Sequence, residues 1–429
     1  MPEIRPFRAL RYEPDAVGDV ALVASPPYDV ISPELQRVLL ERHPRNVVRL
    51  DLPPDEPGDE PDDRYRRAAR TFAAWRSDGT LRKDPRPSLY VYEQTYVVPG
   101  TSVERTQRGF FGRLRIEPFG PGGTVLPHER TMSGPKEDRY RLLRATGANF
   151  SPIVALYADE AGRAAALLAL LAAGTPDLEI NDDDGGRHRL WAVIDDGSPD
   201  GPVAGLIHAG GAGPLTIADG HHRYETALRY RDERHMTRSC EEDPAFDYVL
   251  TLFLETTAEP LTVLPTHRVV RGLGEAEAGR LPTAAGGMFS ARPASAGELR
   301  AAFGPEALAP GGRGRIGLWT RAGGAILDAP GGHVAGLDVA ILGAALERLA
   351  GIDADAVAAG GRIAYTKSVD EALQMVDTAA DSADAAFLLE PTPVADVMAV
   401  ARAGEVLPQK STYFYPKPLS GLVINPHEW

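Results

Sequence analysis

A single cysteine, Cys240, is present, so neither an internal disulfide framework nor a multi-cysteine metal site can form within the chain. A lone thiol fits a reducing compartment. Long apolar runs are missing as well: the longest, Ala164 to Ala173, is about half of the roughly 20 residues a membrane-spanning helix requires. The opening residues, MPEIRPFRALRYEP, carry charges and prolines where a secretory signal would be apolar. These absences predict a cytoplasmic protein without a membrane partner. Positive charge is also in deficit, with 46 Lys and Arg against 60 Asp and Glu and a formal net charge of −14. That balance argues against a nucleic-acid partner, which requires a concentrated basic face, but it leaves room for one basic cleft.

Familiar catalytic strings are absent too. There is no GxxxxGKS/T, no GxSxG and no HExxH. The stretch Gly312 to Gly317 (GRGRIG) matches a dinucleotide fingerprint as a string, but it precedes a strand-like LWT rather than a helix. Asn181 to Gly186 (NDDDGG) begins like a calcium loop yet lacks the closing glutamate, and a hairpin turn is the simpler reading.

What is present suffices for a large core: 43% of the 429 residues are hydrophobic and 25% charged, which predicts two or three soluble domains. Residues 1–118 read as an α+β region, 119–270 as a catalytic or nucleotide-binding core, and 271–429, where Gly, Ala and Pro increase, as a second α+β region. Tyr65, Ala68, Ala69, Phe72 and Trp75 recur at helical steps, whereas Ser88 to Val98 and Phe110 to Ile116 read as strands. Beyond them helix and strand signals alternate. Helices are predicted at 139–146, 161–173, 223–234 and 338–349, strands at 151–157, 190–194, 215–218 and 247–255, and a hairpin at 314–327. This alternation predicts a mixed α/β (α+β) fold.

The most informative stretch is Thr216 to Ala227, TIADGHHRYETA. A strand delivers Asp219 as a helix N-cap, and Gly220 allows a sharp turn with close approach of a ligand. The first N–H groups of the following helix are then unpaired and lie at the positive end of its dipole, a ready anion site. His221, His222 and Arg223 would add positive or hydrogen-bonding groups there, with Arg gripping phosphate oxygens bidentately. The bland alternative is a capped turn. Two adjacent histidines and an arginine at one helix start argue against it.

Two further segments carry candidate chemistry. Leu126 to Arg139 (LPHERTMSGPKEDR) offers His128 and Glu129 as an acid/base pair, and Arg130, Lys136 and Arg139 as anion contacts; the alternative is a solvated charged loop. Pro408 to Lys417 (PQKSTYFYPK) places Lys410 and Lys417 around Ser411 and Thr412; the alternative is an aromatic strand packed on the body. Thr266-His-Arg268 and Pro26-Pro-Tyr28-Asp29 are weaker signals. Leu126 to Arg130 and Leu264 to Arg268 (LPTHR) look alike but are too short to establish a duplication. His221 and Glu225 lie four apart and could reach a metal, with no third ligand evident.

Together with SPPYDVIS (Ser25 to Ser32), NVVRLDLP (Asn46 to Pro53) and YVYEQTY (Tyr90 to Tyr96), these blocks identify the chain as a member of the bacterial family known as domain of unknown function 1015. More distantly, a histidine-glutamate pair followed by a helix, an apolar strand and a strand ending in DGHHR resembles ParB/sulfiredoxin-like proteins, among them free-serine kinases. The resemblance implies a ParB-like core elaborated at both ends and a nucleotide-dependent kinase for a small hydroxyl metabolite, with free L-serine first. It further implies Mg²⁺ with ATP or ADP, Glu129 as general base, Asp219 holding the metal or the amino acid, and Gly220 to Arg223 on the transferred phosphates. His221 joins Glu129 and Asp219 as a catalytic candidate; His128, Arg130, Lys136, Lys410, Ser411 and Thr412 join the phosphate-binding set. The alternatives are a nucleotide-binding regulatory protein without kinase activity, and a phosphodiesterase or nuclease. A homo-oligomer stays open. The departures are a long insertion between Glu129 and Asp219 and, at position 221, a histidine where a sulfiredoxin needs cysteine.

Overall fold

The computed structural model describes residues 1–130, 133–237, 242–305, 314–330, 337–353, 356–357, 360–378 and 383–429, with the side chains of 133–135 left aside. Thr131, Met132 and Cys240 lie outside the described residues. The described part is a mixed α/β fold built on two large sheets.

The first sheet has nine strands: β1 (Ile4–Arg5), β2 (Ser88–Val97), β3 (Glu104–Arg115), β4 (Val125–Leu126), β5 (Ile153–Tyr157), β6 (Leu178–Asn181), β7 (Arg187–Ile194), β8 (Leu215–Asp219) and β9 (Tyr248–Glu255). Their order is β4-β8-β5-β9-β3-β2-β7-β6, with β1 beside β3. The β8/β4 and β9/β5 pairs are parallel, and the remainder are antiparallel. The sheet therefore draws strands from both sides of residue 118. NDDDGG forms the β6–β7 hairpin turn, closed by the Asp182 carboxylate accepting from the Gly186 N–H at 2.6 Å.

Both faces of this sheet are covered, which is why β9 reads as a near-continuous apolar run and β2 is buried along nearly all of its length. Leu89, Val91, Phe110, Ile153, Ala155 and Phe253 face one core. Onto it pack α2 (Ser133–Thr146), α3 (Arg163–Ala172), α4 (Pro202–Gly211) and α5 (His221–Thr237), through residues such as Leu143, Leu168, Leu206 and Tyr224. Tyr90, Tyr92, Phe111, Val154 and Leu252 face the other core, capped by Tyr65, Phe72 and Trp75 of α1 (Asp63–Ser77). The C-terminal residues Leu419 to Ile424 return to that same core. Ile424 pairs with Leu10 and Ser420 with Ser25. Buried Arg113 of β3 then locks the tail, donating to Asn425 Oδ1 at 2.7 Å and to the carbonyls of Pro426 and Glu428 at 2.7 and 2.8 Å.

The second sheet has six antiparallel strands: β10 (His267–Arg271), β11 (Ser290–Ala294), β12 (Arg315–Thr320), β13 (Gly323–Asp328), β14 (Ile363–Thr366) and β15 (Ala383–Leu388), in the order β11-β13-β12-β15-β10-β14. The Gly314–Leu327 hairpin is β12–β13, and GRGRIG does lead into a strand. The helix α6 (Asp338–Ala350) buries Val339, Leu342 and Leu346 against this sheet, and α7 (Val369–Asp377) packs on its other face. A short antiparallel pair, Thr262–Leu264 with Tyr413–Tyr415, brings the PQKSTYFYPK segment alongside the first sheet.

Candidate anion-binding site

The turn between β8 and α5 is the centre of the site. Gly220 has φ +87°, a left-handed conformation disfavoured for residues with a Cβ, and a Cβ there would lie 2.9 Å from Ile153 Cγ2. Helix α5 starts at His221, so the turn presents the first-turn N–H groups as expected.

The role of Asp219 differs from the expectation. Gly220 precedes the first helical residue, His221, and the Asp219 carboxylate is held by cations. Arg223 Nη2 donates to Oδ2 at 2.6 Å and Lys417 Nζ donates to Oδ1. Burial would raise its pKa, but Lys417 and Arg223 outweigh that and hold it well below the usual carboxylate range. Arg223 is turned inward as well. Its Nη1 donates to the Pro152 carbonyl, so the guanidinium braces the turn rather than offering a free fork to a phosphate.

The histidines are also revised. His128 is fully buried; its Nδ1 lies 2.5 Å from the Ile217 carbonyl and its Nε2 lies 2.9 Å from Thr412 Oγ1. Nδ1–H must donate to the carbonyl, which leaves Nε2 to accept the Thr412 hydroxyl. The His128 N–H in turn donates to His221 Nε2 at 3.3 Å, so that nitrogen is unprotonated. Burial lowers the His128 pKa to about 4 against a partial offset from the Ile217 carbonyl, and burial together with His128 lowers His221. Half-buried His222 falls to about 4 through burial and the nearby Lys410. All three are neutral at pH 7. Of the positive or hydrogen-bonding roles that the sequence pattern left open, they take the hydrogen-bonding one.

The positive charge comes instead from lysines on distant segments. The segment 128–130 pairs with Leu407, which carries the following loop onto the turn. In that loop Lys410 has φ +57°, a costly backbone conformation of the kind that concentrates at functional sites. Ser411 N–H donates to Glu129 Oε2 at 3.2 Å, and the Lys410 N–H also reaches this carboxylate. Burial raises Glu129 above the ordinary carboxyl value, opposed by Lys410 and the Ser411 N–H. The Tyr413 ring carries Lys367 Nζ at 4.2 Å and Lys417 Nζ at 4.6 Å from its centroid, in cation–π range. Burial, then Lys410 and Lys417, lower the pKa of Lys367, which marks a region of accumulated positive charge.

The remaining expected residues are placed as follows. Lys136 pairs with Glu225, the residue that could have reached a metal together with His221. Among the described residues no group of three or more His, Cys, Asp or Glu is arranged to hold a metal. Arg130 is exposed and faces a cavity beside the second sheet rather than the turn. Arg139 is buried, bonded to Asp138 at 2.6 Å and stacked 4.0 Å from the Tyr28 ring, with Arg223 5.8 Å from the same ring. The sequence reading ranked Tyr28 low, assigned Lys417 no role and missed Lys367 and Tyr413. The spacing of Lys410 and Lys417 around aromatic residues was the one signal available for them.

With this geometry in view, the family assignment is direct: the sequence pattern of the family described as Protein of unknown function (DUF1015) matches residues 4–340. The chain belongs to that family. No curated protein matches it significantly. Among solved structures, this DUF1015 member is similar to a conserved hypothetical protein from Pyrococcus furiosus, at 14% identity and TM-score 0.35, over 69% of this chain and 88% of that one. It is also similar to a free serine kinase in complex with AMP, at 13% identity and TM-score 0.35, over 68% and 83%. A third is SbnI with a C-terminal truncation from Staphylococcus aureus, at 12% identity and TM-score 0.33, over 70% and 83%. These superpositions are loose, and the chemistry of the DUF1015 site has to be argued from its own residues. No helix among the described residues is long and apolar enough to cross a membrane.

Proposed function

We propose that the β8–α5 turn and the 408–417 loop bind the phosphates of a nucleotide, and that this protein transfers a phosphoryl group to the hydroxyl of a small metabolite, L-serine being the first substrate to test. The observation that carries the reading is the convergence of Lys367, Lys410 and Lys417 on a helix N-terminus where Asp219 is already held by Lys417 and Arg223. Surplus positive charge beside the positive end of a helix dipole suits a polyanion. ADP or ATP meets that requirement. Mg²⁺ fits the donor set less well: both Asp219 oxygens are taken by cations, so the ion would arrive on the nucleotide phosphates rather than occupy a protein cage.

In this reading Glu129 takes the proton of the acceptor hydroxyl as that oxygen bonds to the terminal phosphorus, and the bond from phosphorus to the bridging oxygen breaks, leaving the shortened nucleotide. Burial raises the Glu129 pKa, which makes it a stronger base than an ordinary carboxylate. The lysines supply positioning and charge neutralisation, which are the main requirements of phosphoryl transfer. A regulatory, non-catalytic reading draws on one specific contact: the Glu129 carboxylate accepts the Ser411 N–H and thereby anchors the loop.

Incubation with Mg²⁺, ADP or ATP, and serine, followed by mass spectrometry for O-phosphoserine, separates these readings. Under the kinase reading Glu129→Gln abolishes turnover while nucleotide affinity stays within a few fold. Nucleotide binding with no phosphorylated amino acid or polyol would leave only the regulatory one.

A further inference from the structure

A cavity of about 450 Å³ opens between α6, β14 and the 406–409 segment, away from the β8–α5 turn. That volume is within the ~300–1,000 Å³ usual for small-ligand sites. Much of its wall is aliphatic, including Val339, Leu346, Ile352 and Ile363. Arg130 and Arg268 both line it, so the two look-alike pentapeptides LPHER and LPTHR each deliver their arginine to one place.

Arg268 is the unusual member. It is 4% exposed, its Nη1 has no hydrogen-bond partner, and no carboxylate lies within ion-pair distance of it among the described residues. Tyr365 stands beside it, with the guanidinium carbon 5.9 Å from the ring centroid. Tyr365 hydrogen-bonds to it and the Glu129 carboxylate acts on it through space, yet burial still lowers its pKa and its Nη1 stays unpaired. A buried guanidinium so little compensated is costly, and the cost is recovered when a planar anion meets its fork. The cavity also depends on a missing side chain. Gly343 lies inside α6 where glycine weakens the helix, and a Cβ there would meet nothing within 4 Å.

We infer that this cavity binds a small monocarboxylate with an aliphatic body, its carboxylate on Arg268 and its hydrocarbon against α6. Glu347 and Asp353 on the lining disfavour a phosphate dianion. The cavity adjoins the nucleotide site, since Pro408 and Gln409 start the 408–417 loop and Glu129 acts on Arg268, but the inference does not require nucleotide to bind, and the probe is tested without it.

Octanoate is a suitable probe, titrated by calorimetry against the full-length protein with octanol and inorganic phosphate as controls. Octanoate is expected to bind saturably, and octanol at least about tenfold more weakly, as expected on losing a charge-assisted hydrogen bond. Phosphate should not compete. Arg268→Met should weaken octanoate by about the same tenfold factor. Gly343→Leu, which raises helix propensity and fills the cavity, should abolish binding while leaving the circular-dichroism melt intact. If Arg268→Met fails to fold, Gly343→Leu decides alone. Absence of saturable octanoate binding, equal affinity for octanol, displacement by phosphate, or unchanged octanoate binding in Gly343→Leu would each overturn the inference.

Discussion

Replacing Asp219 by asparagine tests the account of the turn most sharply. The carboxylate has two cationic partners, and all three side chains are nearly buried, with 12% of Asp219, 9% of Arg223 and 11% of Lys417 exposed. The amide keeps the shape but removes the charge, leaving two cations packed together in a poorly solvated turn. Removing one partner of a buried ion pair costs about 3–5 kcal/mol. The lower part of that range applies here because Arg223 keeps the Pro152 carbonyl. A chain of this length need not unfold in one step, so the appropriate assay is native-state hydrogen exchange at the amides of β8 and α5. A loss of about 3 kcal/mol accelerates their exchange by roughly two orders of magnitude, at 1.36 kcal/mol per tenfold. Adding Lys417→Met should restore part of the protection, since it removes one of the stranded charges. The pH dependence has a defined sign. The Asp219 pKa is lowered in the folded state, so its stabilisation is present above the unfolded carboxyl value and is lost as pH falls through the folded one. The gap between wild type and Asp219→Asn should therefore persist from pH 7 to 5 and close only in strong acid. Exchange within about threefold of wild type, equivalent to less than about 0.7 kcal/mol, would refute the reasoning.

Three further outcomes are expected. Gly220→Ala should cost about 1–3 kcal/mol, because it places a Cβ at φ +87° and 2.9 Å from Ile153 Cγ2; thermal melts with and without sulfate would show lower stability and a smaller anion-induced shift. The neutral histidines should make the site acid-labile: the His128 and His222 pKa values fall from 6.5 to about 4 on folding. Their stabilisation is thus complete above about pH 6.5 and is lost as pH falls toward about 4, and His128→Gln should flatten that limb of a melting-temperature profile. Arg113→Met should free the C-terminal residues from β3 and cost about 1–3 kcal/mol, since neutral acceptors lose a buried charged donor; faster proteolysis after residue 419 would report it.

Much of the framework was legible in the residues. The periodicity of Tyr65 to Trp75 gave α1, found at Asp63–Ser77, and the β-branched and aromatic run from Ser88 gave β2. The strand-turn-helix at 215–237 was readable for the same reason: positive φ at Gly220 and helical spacing after it are properties of neighbouring residues. The site was legible only in part. Asp219, Glu129 and Lys410 do converge, but Arg130 lines a different cavity and Arg223 turns inward. Nothing in the short string around Lys367 distinguishes it from an ordinary surface lysine.

The sequence by itself therefore determined where backbone turns, helix starts and buried faces fall, because those follow from conformational preference and from apolar spacing over a few residues. Only the tertiary structure decided the charge state of the site. Lys417 meets Asp219 across 198 residues, and Thr412 hydrogen-bonds to the buried His128 ring across 284. Burial and Coulomb interactions depend on which distant groups share a space, so the DGHHR turn, read locally as positive or hydrogen-bonding groups at a helix start, became an anchored aspartate, neutral histidines and lysines borrowed from the other end of the chain.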